Sequence, residues 1–205
     1  MQELIPGLHH WTAYHDGIRQ RVSSYYVEPA QALIDPMVPD GGLEWFDSRA
    51  TPARILLTNR HHYRHSARYA DVFGCSVHAS APGMHEFAGA PRPVEPFDFG
   101  DEPAPGITAL EVGAICPDET ALEIPSARAV ALADGLVRWG APDDPIGFVP
   151  DFLLGDDPED VKKGLLASFE RLLELDFEHL LLAHGSPLVG DGKERLREFA
   201  GQAPR

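Results

Sequence analysis

Cysteine is nearly absent from this 205-residue chain: only Cys75 and Cys116 occur, too few for a disulfide framework and without the paired spacing of a zinc knuckle. Both read as small buried or half-buried thiols. Positive charge is scarce too, with 17 Lys and Arg against 32 Asp and Glu, a formal net charge of -15 and a pI near 4.9. Repulsion at that charge disfavours a nucleic-acid backbone or an anionic membrane as partner. No run approaches the roughly 18 apolar residues of a membrane span. The opening MQELIPGLHHWTAYHDG has no basic stretch leading into an apolar one, so a cytoplasmic location is the expectation. What remains is ordinary for a globular protein: 43% hydrophobic and 24% charged residues exclude extensive disorder. No shift in composition divides the chain, and residues 1–205 are expected to form one domain, with a homodimer as the base-rate assembly.

Short β-branched or aliphatic runs bounded by Pro or Gly predict strands at 22–28 (VSSYYVE), 31–36 (QALIDP) and 53–58 (ARILLT). From Ser66, SARYADVFG has apolar residues at helical spacing and stops at Gly74, after which CSVHAS returns to strand character, giving a βαβ unit. PGMHEF reads as a short helical turn, and the Pro-rich stretch from Ala90 to Pro105 as loop with at most one edge strand. Further strands are expected at 107–112, 120–124, 128–133 and 179–183. DPEDVKKGLLASFERLLEL carries an Asp cap, Pro in its first turn and leucines at i, i+3 and i+4, and GDGKERLREFA closes the chain as a second amphipathic helix. Between Gly140 and Gly155, Pro, Gly and Asp without periodicity predict a long surface excursion. Trp139, Phe148 and Phe152 in or beside it are expected to pack over or near a cleft.

Chemistry concentrates at strand ends. Three of the ten histidines fall in TNRHHYRHS, directly after the apolar strand ARILL, where a rigid scaffold meets an accessible loop. His61, His62 and His65 could offer imidazoles to a metal, whereas Arg60 and Arg64 among them would repel a cation. A solvated histidine cluster is the plain alternative. AVALADGL and HLLLAHGSP repeat the same grammar, an apolar strand ending in a metal-capable residue before Gly, and supply Asp134 and His184. Alone, each reads as a turn. Together the three strand ends offer two imidazoles and a carboxylate, a set suited to zinc or iron.

In the order of these motifs, from LIDP at 33–36 to HGSP at 184–187, the chain resembles the metallo-β-lactamase superfamily. That resemblance implies an α/β fold, the four-layer αββα sandwich. Asp35 matches the Asp that ends the family's early strand. TNRHHYR stands where the family has T-H-x-H-x-D-H, so Asn59 replaces the first histidine, His61 keeps the second, Tyr63 replaces the Asp and Arg64 the last His. Ala114 follows Gly113 where the third histidine of the first metal site belongs, while Asp134 matches the bridging carboxylate and His184 the final histidine. The metal-site signature is therefore incomplete. A three-ligand site arises only by pooling His61, Asp134 and His184, with His65, Asp118 or Glu119 as further donors, none of them at a family ligand position.

Two functions compete. In one, a degenerate cleft holds no metal or one weakly bound zinc or iron ion and binds a small anionic metabolite through Arg60, Arg64 or Arg138, with Asn59, Tyr63 and His65 beside it. In the other, His61, Asp134 and His184 hold the metal of a mononuclear hydrolase acting on a small ester, thioester or lactam. Three spatial expectations follow: Asn59, His61, Arg64, Asp134 and His184 share one cleft; the Arg64 guanidinium pairs with Asp134 in place of a second metal; and at most one metal binds.

Overall fold

The computed structural model describes residues 1–139 and 143–202. Seven strands pair in chain order into one sheet: β1 (Gln2–Ile5), β2 (Leu8–His15), β3 (Gln20–Val27), β4 (Ala32–Ile34), β5 (Arg54–Leu56), β6 (Ser76–Ser80) and β7 (Val94–Phe97). Four more, β8 (Thr108–Glu111), β9 (Thr120–Ile124), β10 (Ala129–Leu132) and β11 (His179–Leu182), form a second sheet in the order β11-β10-β9-β8. The helices are α1 (Ser66–Phe73), α2 (Pro158–Leu172) and α3 (Gly192–Gln202). None of the described helices is long and apolar enough to cross a membrane.

The period-2 geometry of a strand sorts the residues of the central strands into layers. Ala32, Ile34 and Leu56 of the first sheet meet Ala109, Leu122, Ala129, Ala131 and Leu181 of the second. Their alternates face outward: Leu33, Ile55, Leu57 and Val77 pack with Tyr69 and Phe73 of α1, and Val130, Leu132, Leu180 and Leu182 with Leu165, Phe169, Leu172 and Leu196 of α2 and α3. Helix, sheet, sheet, helix is the expected four-layer sandwich. Strands buried on both faces read as continuous apolar runs, which is why ARILL and HLLL stand out in the sequence.

Local signals set the helix ends. Asp157 caps α2 by accepting from the Asp160 amide at 3.1 Å, with Pro158 in the first turn. Gly74 ends α1 in the left-handed conformation. β5, α1 and β6 form the anticipated βαβ unit, since β5 and β6 are parallel, and β7 is the one strand in the Pro-rich stretch. The β1–β2 hairpin has no counterpart among the expected strands, because His9 and His10 break the alternation of Leu8, Trp11 and Ala13. Of the predicted excursion, residues 140–142 lie outside the described residues. Asp151–Leu153 makes a 3-10 turn.

The sheets are tied together at one end. Ser23 of β3 donates its amide to Ala183 O at 2.9 Å and its hydroxyl to Gly185 O at 2.8 Å, and Tyr25 donates to Leu182 O at 2.8 Å. Gly185 (φ 100°) permits this closeness: a Cβ there would fall 2.1 Å from Arg138 O. His10 packs beside this junction, its ring against Tyr25 and Nε2 3.0 Å from Ser23 Oγ. Burial, with a smaller push from the N-terminal ammonium, drives the His10 imidazole down to about 4. The unfolded chain therefore takes up a proton near 6.5 that the folded chain refuses until about 4, and stability falls as pH drops through that window. His10→Gln is expected to remove about 2 kcal/mol of the stability lost between pH 6.5 and 5, measured by urea denaturation at both pH values. An unchanged pH slope would contradict it.

Candidate metal centre and cleft

β5 delivers the chain to Thr58, and a turn carries it on to α1. In that turn the His62 amide donates to Asn59 O at 3.2 Å, and this i, i+3 relation puts Asn59 and His62 on one side, with His61 turned outward. His61 is exposed, its amide bound to Asn59 Oδ1 at 2.9 Å. The buried imidazole is His62.

Asp35, at the end of β4, lies wholly inside. Its carboxylate accepts from the Thr58 amide at 2.9 Å and hydroxyl at 2.5 Å, and from His62 Nδ1 at 2.9 Å. Burial pushes this carboxyl up, but His62, Arg64 and the Thr58 hydroxyl outweigh it and hold it below the ordinary value. The far side of His62 faces Asp134, which follows β10. Asp134 Oδ1 is 3.3 Å from His62 Nε2 and 3.0 Å from His184 Nε2, while Asn59 Nδ2 donates to Oδ2 at 2.8 Å.

These three donors form the one group among the described residues able to hold a metal ion, their ligand atoms all within 4.8 Å of one another. The imidazole expected from the sequence was His61; it is His62 that the turn aims inward. The geometry suits an ion. Asp134 Oδ1 is buried and meets both imidazole nitrogens, as an ion pair with either ring when protonated, so three ligand atoms converge on one point. Tetrahedral ligands at zinc distances stand about 3.3 Å apart, close to the separations here. The Nδ1–carboxylate contact of His62 with Asp35 is the arrangement that fixes the ring of a metal-bound histidine. Against this, burial and Arg64 push the His62 imidazole down, but Asp35 and Asp134 raise it to about 9. A proton thus competes for Nε2. Burial also pushes the Asp134 carboxyl up, and the two imidazoles reverse that and hold it well below its usual range.

Arg64 turns its guanidinium to backbone carbonyls rather than to Asp134. It has a left-handed backbone (φ 42°), and its Nη1 donates to Ser23 O at 2.7 Å and Asp35 O at 2.9 Å, with Nη2 buried and unpartnered. The expected guanidinium bond to Asp134 is replaced by Asn59, which lies nearer along the turn and accounts for Oδ2. Tyr63 turns to Arg92, whose amide it accepts at 3.0 Å, and His65 Nδ1 accepts from Val38 N at 2.9 Å. Neither lines the cleft. Asp118 holds the Arg60 amide at 2.6 Å and its guanidinium, the ordinary ion-pair alternative for that arginine. Ala114 packs among the apolar residues beneath α2, and Arg138 lines a separate pocket of about 500 Å³.

Glu119, which the sequence offered only as a further metal donor, holds backbone amides instead. Buried beneath the site, it accepts from Gly135 N at 2.6 Å and Ile115 N at 3.4 Å, fixing the turn that carries Asp134. Burial, with Asp134 adding, pushes its carboxyl up to about 7.

The group opens into a cleft of about 780 Å³. Asn59, His61, Arg64, Asp134 and His184 all line it, joined by His15, Ile18, Trp139, Phe152 and Leu153. Phe148 instead packs on Phe199.

The fold has known counterparts. A metallo-beta-lactamase family protein from Thermus thermophilus superposes with a TM-score of 0.67 at 19% identity, covering 96% of this chain and 79% of that one. The chain has the metallo-β-lactamase fold. A metallo beta lactamase from Erythrobacter litoralis, 16% identical, matches this metallo-β-lactamase-fold chain over 98% of its length and 96% of the other, with a TM-score of 0.66. A third similar protein, 24% identical with a TM-score of 0.67, covers 91% of this chain and 98% of its own and was solved in a di-iron-bound form. No protein-family model and no curated protein matches the sequence.

Proposed function

We propose that the cleft is the active site of a hydrolase that holds a single zinc or iron ion on His62, Asp134 and His184 and acts on a small ester, thioester or lactam. The observation that carries this is the convergence of Asp134 Oδ1 with His62 Nε2 at 3.3 Å and His184 Nε2 at 3.0 Å, three ligand atoms within 4.8 Å of one another. A metal ion bound there supplies a water of lowered pKa and polarises a carbonyl. The chain's own groups do the positioning. Asp35 orients His62 through Nδ1, Asn59 holds Oδ2 of Asp134 so that Oδ1 faces the imidazoles, and Glu119 pins the turn behind them. Arg64, half-buried in the lining of the cleft, adds fixed positive charge that favours an anionic group there.

Metal analysis of untagged protein purified without added metal, followed by zinc titration and assay against nitrophenyl esters, an acyl thioester and a lactam, tests the proposal. One equivalent of metal with metal-dependent turnover is expected. Two equivalents would overturn the single-ion reading.

One observation favours a second reading, a metal-free binder of a small anionic metabolite. His62 at about 9 is an imidazolium at neutral pH, bridging Asp35 and Asp134 in a network whose charges are already matched. Absence of zinc binding up to millimolar concentration, with the fold intact, would decide for it. A cytoplasmic location and a homodimer belong to the same proposal, and fractionation and sedimentation test them.

A further inference from the structure

Large apolar side chains left in water mean little when scattered and much when they gather. Eight are exposed among the described residues, and four of them, Ile18, Trp139, Phe152 and Leu153, line the metal-side cleft. They arrive from three separate stretches: the turn between β2 and β3, the segment after Asp134, and the 3-10 turn Asp151–Leu153. Phe152 is 82% exposed, Leu153 51%, Ile18 47% and Trp139 39%. Below them the wall stays apolar through Ile115, Pro117 and Val149 before it meets His62 and Asp134. The cleft is thus two-toned, an apolar collar over a charged floor.

We propose that the cleft takes a ligand with an apolar body, an acyl chain or an aryl ring, which lies in the collar while its carbonyl or carboxylate end reaches the floor. For the chemistry of the floor this rests on the proposed function; the collar itself does not depend on a metal. The volume of about 780 Å³ lies within the roughly 300–1,000 Å³ of small-molecule sites. A second copy of the chain is the other conceivable cover. Four side chains around a concave mouth fall well short of the roughly 800 Å² per partner of a stable interface, so a homodimer would pair through another face.

The test is calorimetric titration of straight-chain carboxylates from butanoate to octanoate, below their micelle concentrations, into wild type, Phe152→Ser/Leu153→Ser, and Val72→Ser. Val72 is an exposed apolar residue on α1 outside the cleft. Wild type is expected to gain roughly two- to fourfold in affinity per methylene. The double variant should flatten that slope without lowering the melting temperature, and Val72→Ser should retain it. A flat slope in wild type would overturn the proposal, as would a dimer that dissociates in the double variant. A preserved slope in protein that takes up no metal would sink the hydrolase reading alone. One bound metal with no slope would sink this inference alone.

Discussion

Asp134→Ala is expected to lower zinc affinity on the order of a hundredfold or more, while the chain still folds. Even an outer group that merely orients a metal ligand changes affinity by about 10- to 100-fold when removed, and Asp134 is the one anion in the three-donor group. Its loss also frees His184, whose Nε2 has Oδ1 as its charged neighbour, and strips Asn59 of the carboxylate that its amide holds. The fold has less at stake, because His62 keeps its bond to Asp35, and the two sheets remain joined through Ser23 and Tyr25. Zinc competition against a chromophoric chelator gives the affinity, and circular dichroism the fold. Unchanged affinity in a folded Asp134→Ala protein would remove the metal centre from His62, Asp134 and His184. Asn59→Ala, which leaves all three donors in place and removes only the bond to Oδ2, should cost about tenfold.

The layers were legible in the sequence because the central strands are buried on both faces and advertise it. ARILL, RAVALA and HLLLA are apolar whichever side they show, so their identity survives any error of register. The hairpin of β1 and β2 escaped because its inward positions include His9, buried and paired with Glu28 at 3.0 Å, so the side chain that broke the pattern is itself part of the interior. The site was legible as a place and less so as a set. Strand ends named Asp134 and His184, since a residue that follows a strand inherits that strand's direction. After β5 the chain enters a turn, and within a turn neighbours point apart. Which of His61 and His62 looks inward depends on the Asn59–His62 backbone bond, a feature that motif spacing does not encode. Glu119 gave even less warning: its work is to hold two amides, and no side-chain pattern marks an acceptor of backbone hydrogen bonds.

The same reasoning changes what Arg64 should do when replaced. Among the described residues, its guanidinium makes no hydrogen bond to Asp134. It spans from β3 to the end of β4, donating to the carbonyls of Ser23 and Asp35, and its charge lies among Asp35, Asp134 and the buried Tyr25. Arg64→His would put an imidazole at the family's ligand position, yet a shorter ring on the same left-handed backbone cannot reach both carbonyls. The Ser23 carbonyl would lose a buried donor at about 1–3 kcal/mol, the Asp35 carbonyl would keep only the Ser24 hydroxyl, and the Asp35 carboxylate would lose a compensating cation. The expected result is therefore a loss of about 3 kcal/mol of folding stability, seen as a melting temperature lower by roughly 6–12 °C, with no second equivalent of zinc. Arg64→Lys, which keeps the charge and one donor to a carbonyl, should lose only about 1–1.5 kcal/mol. Urea denaturation of the three proteins, beside zinc titration of each, separates the outcomes. If Arg64→His matched wild type in stability and bound two zinc ions, the guanidinium would be a substitute for a metal after all, and its bonds to Ser23 and Asp35 would be incidental.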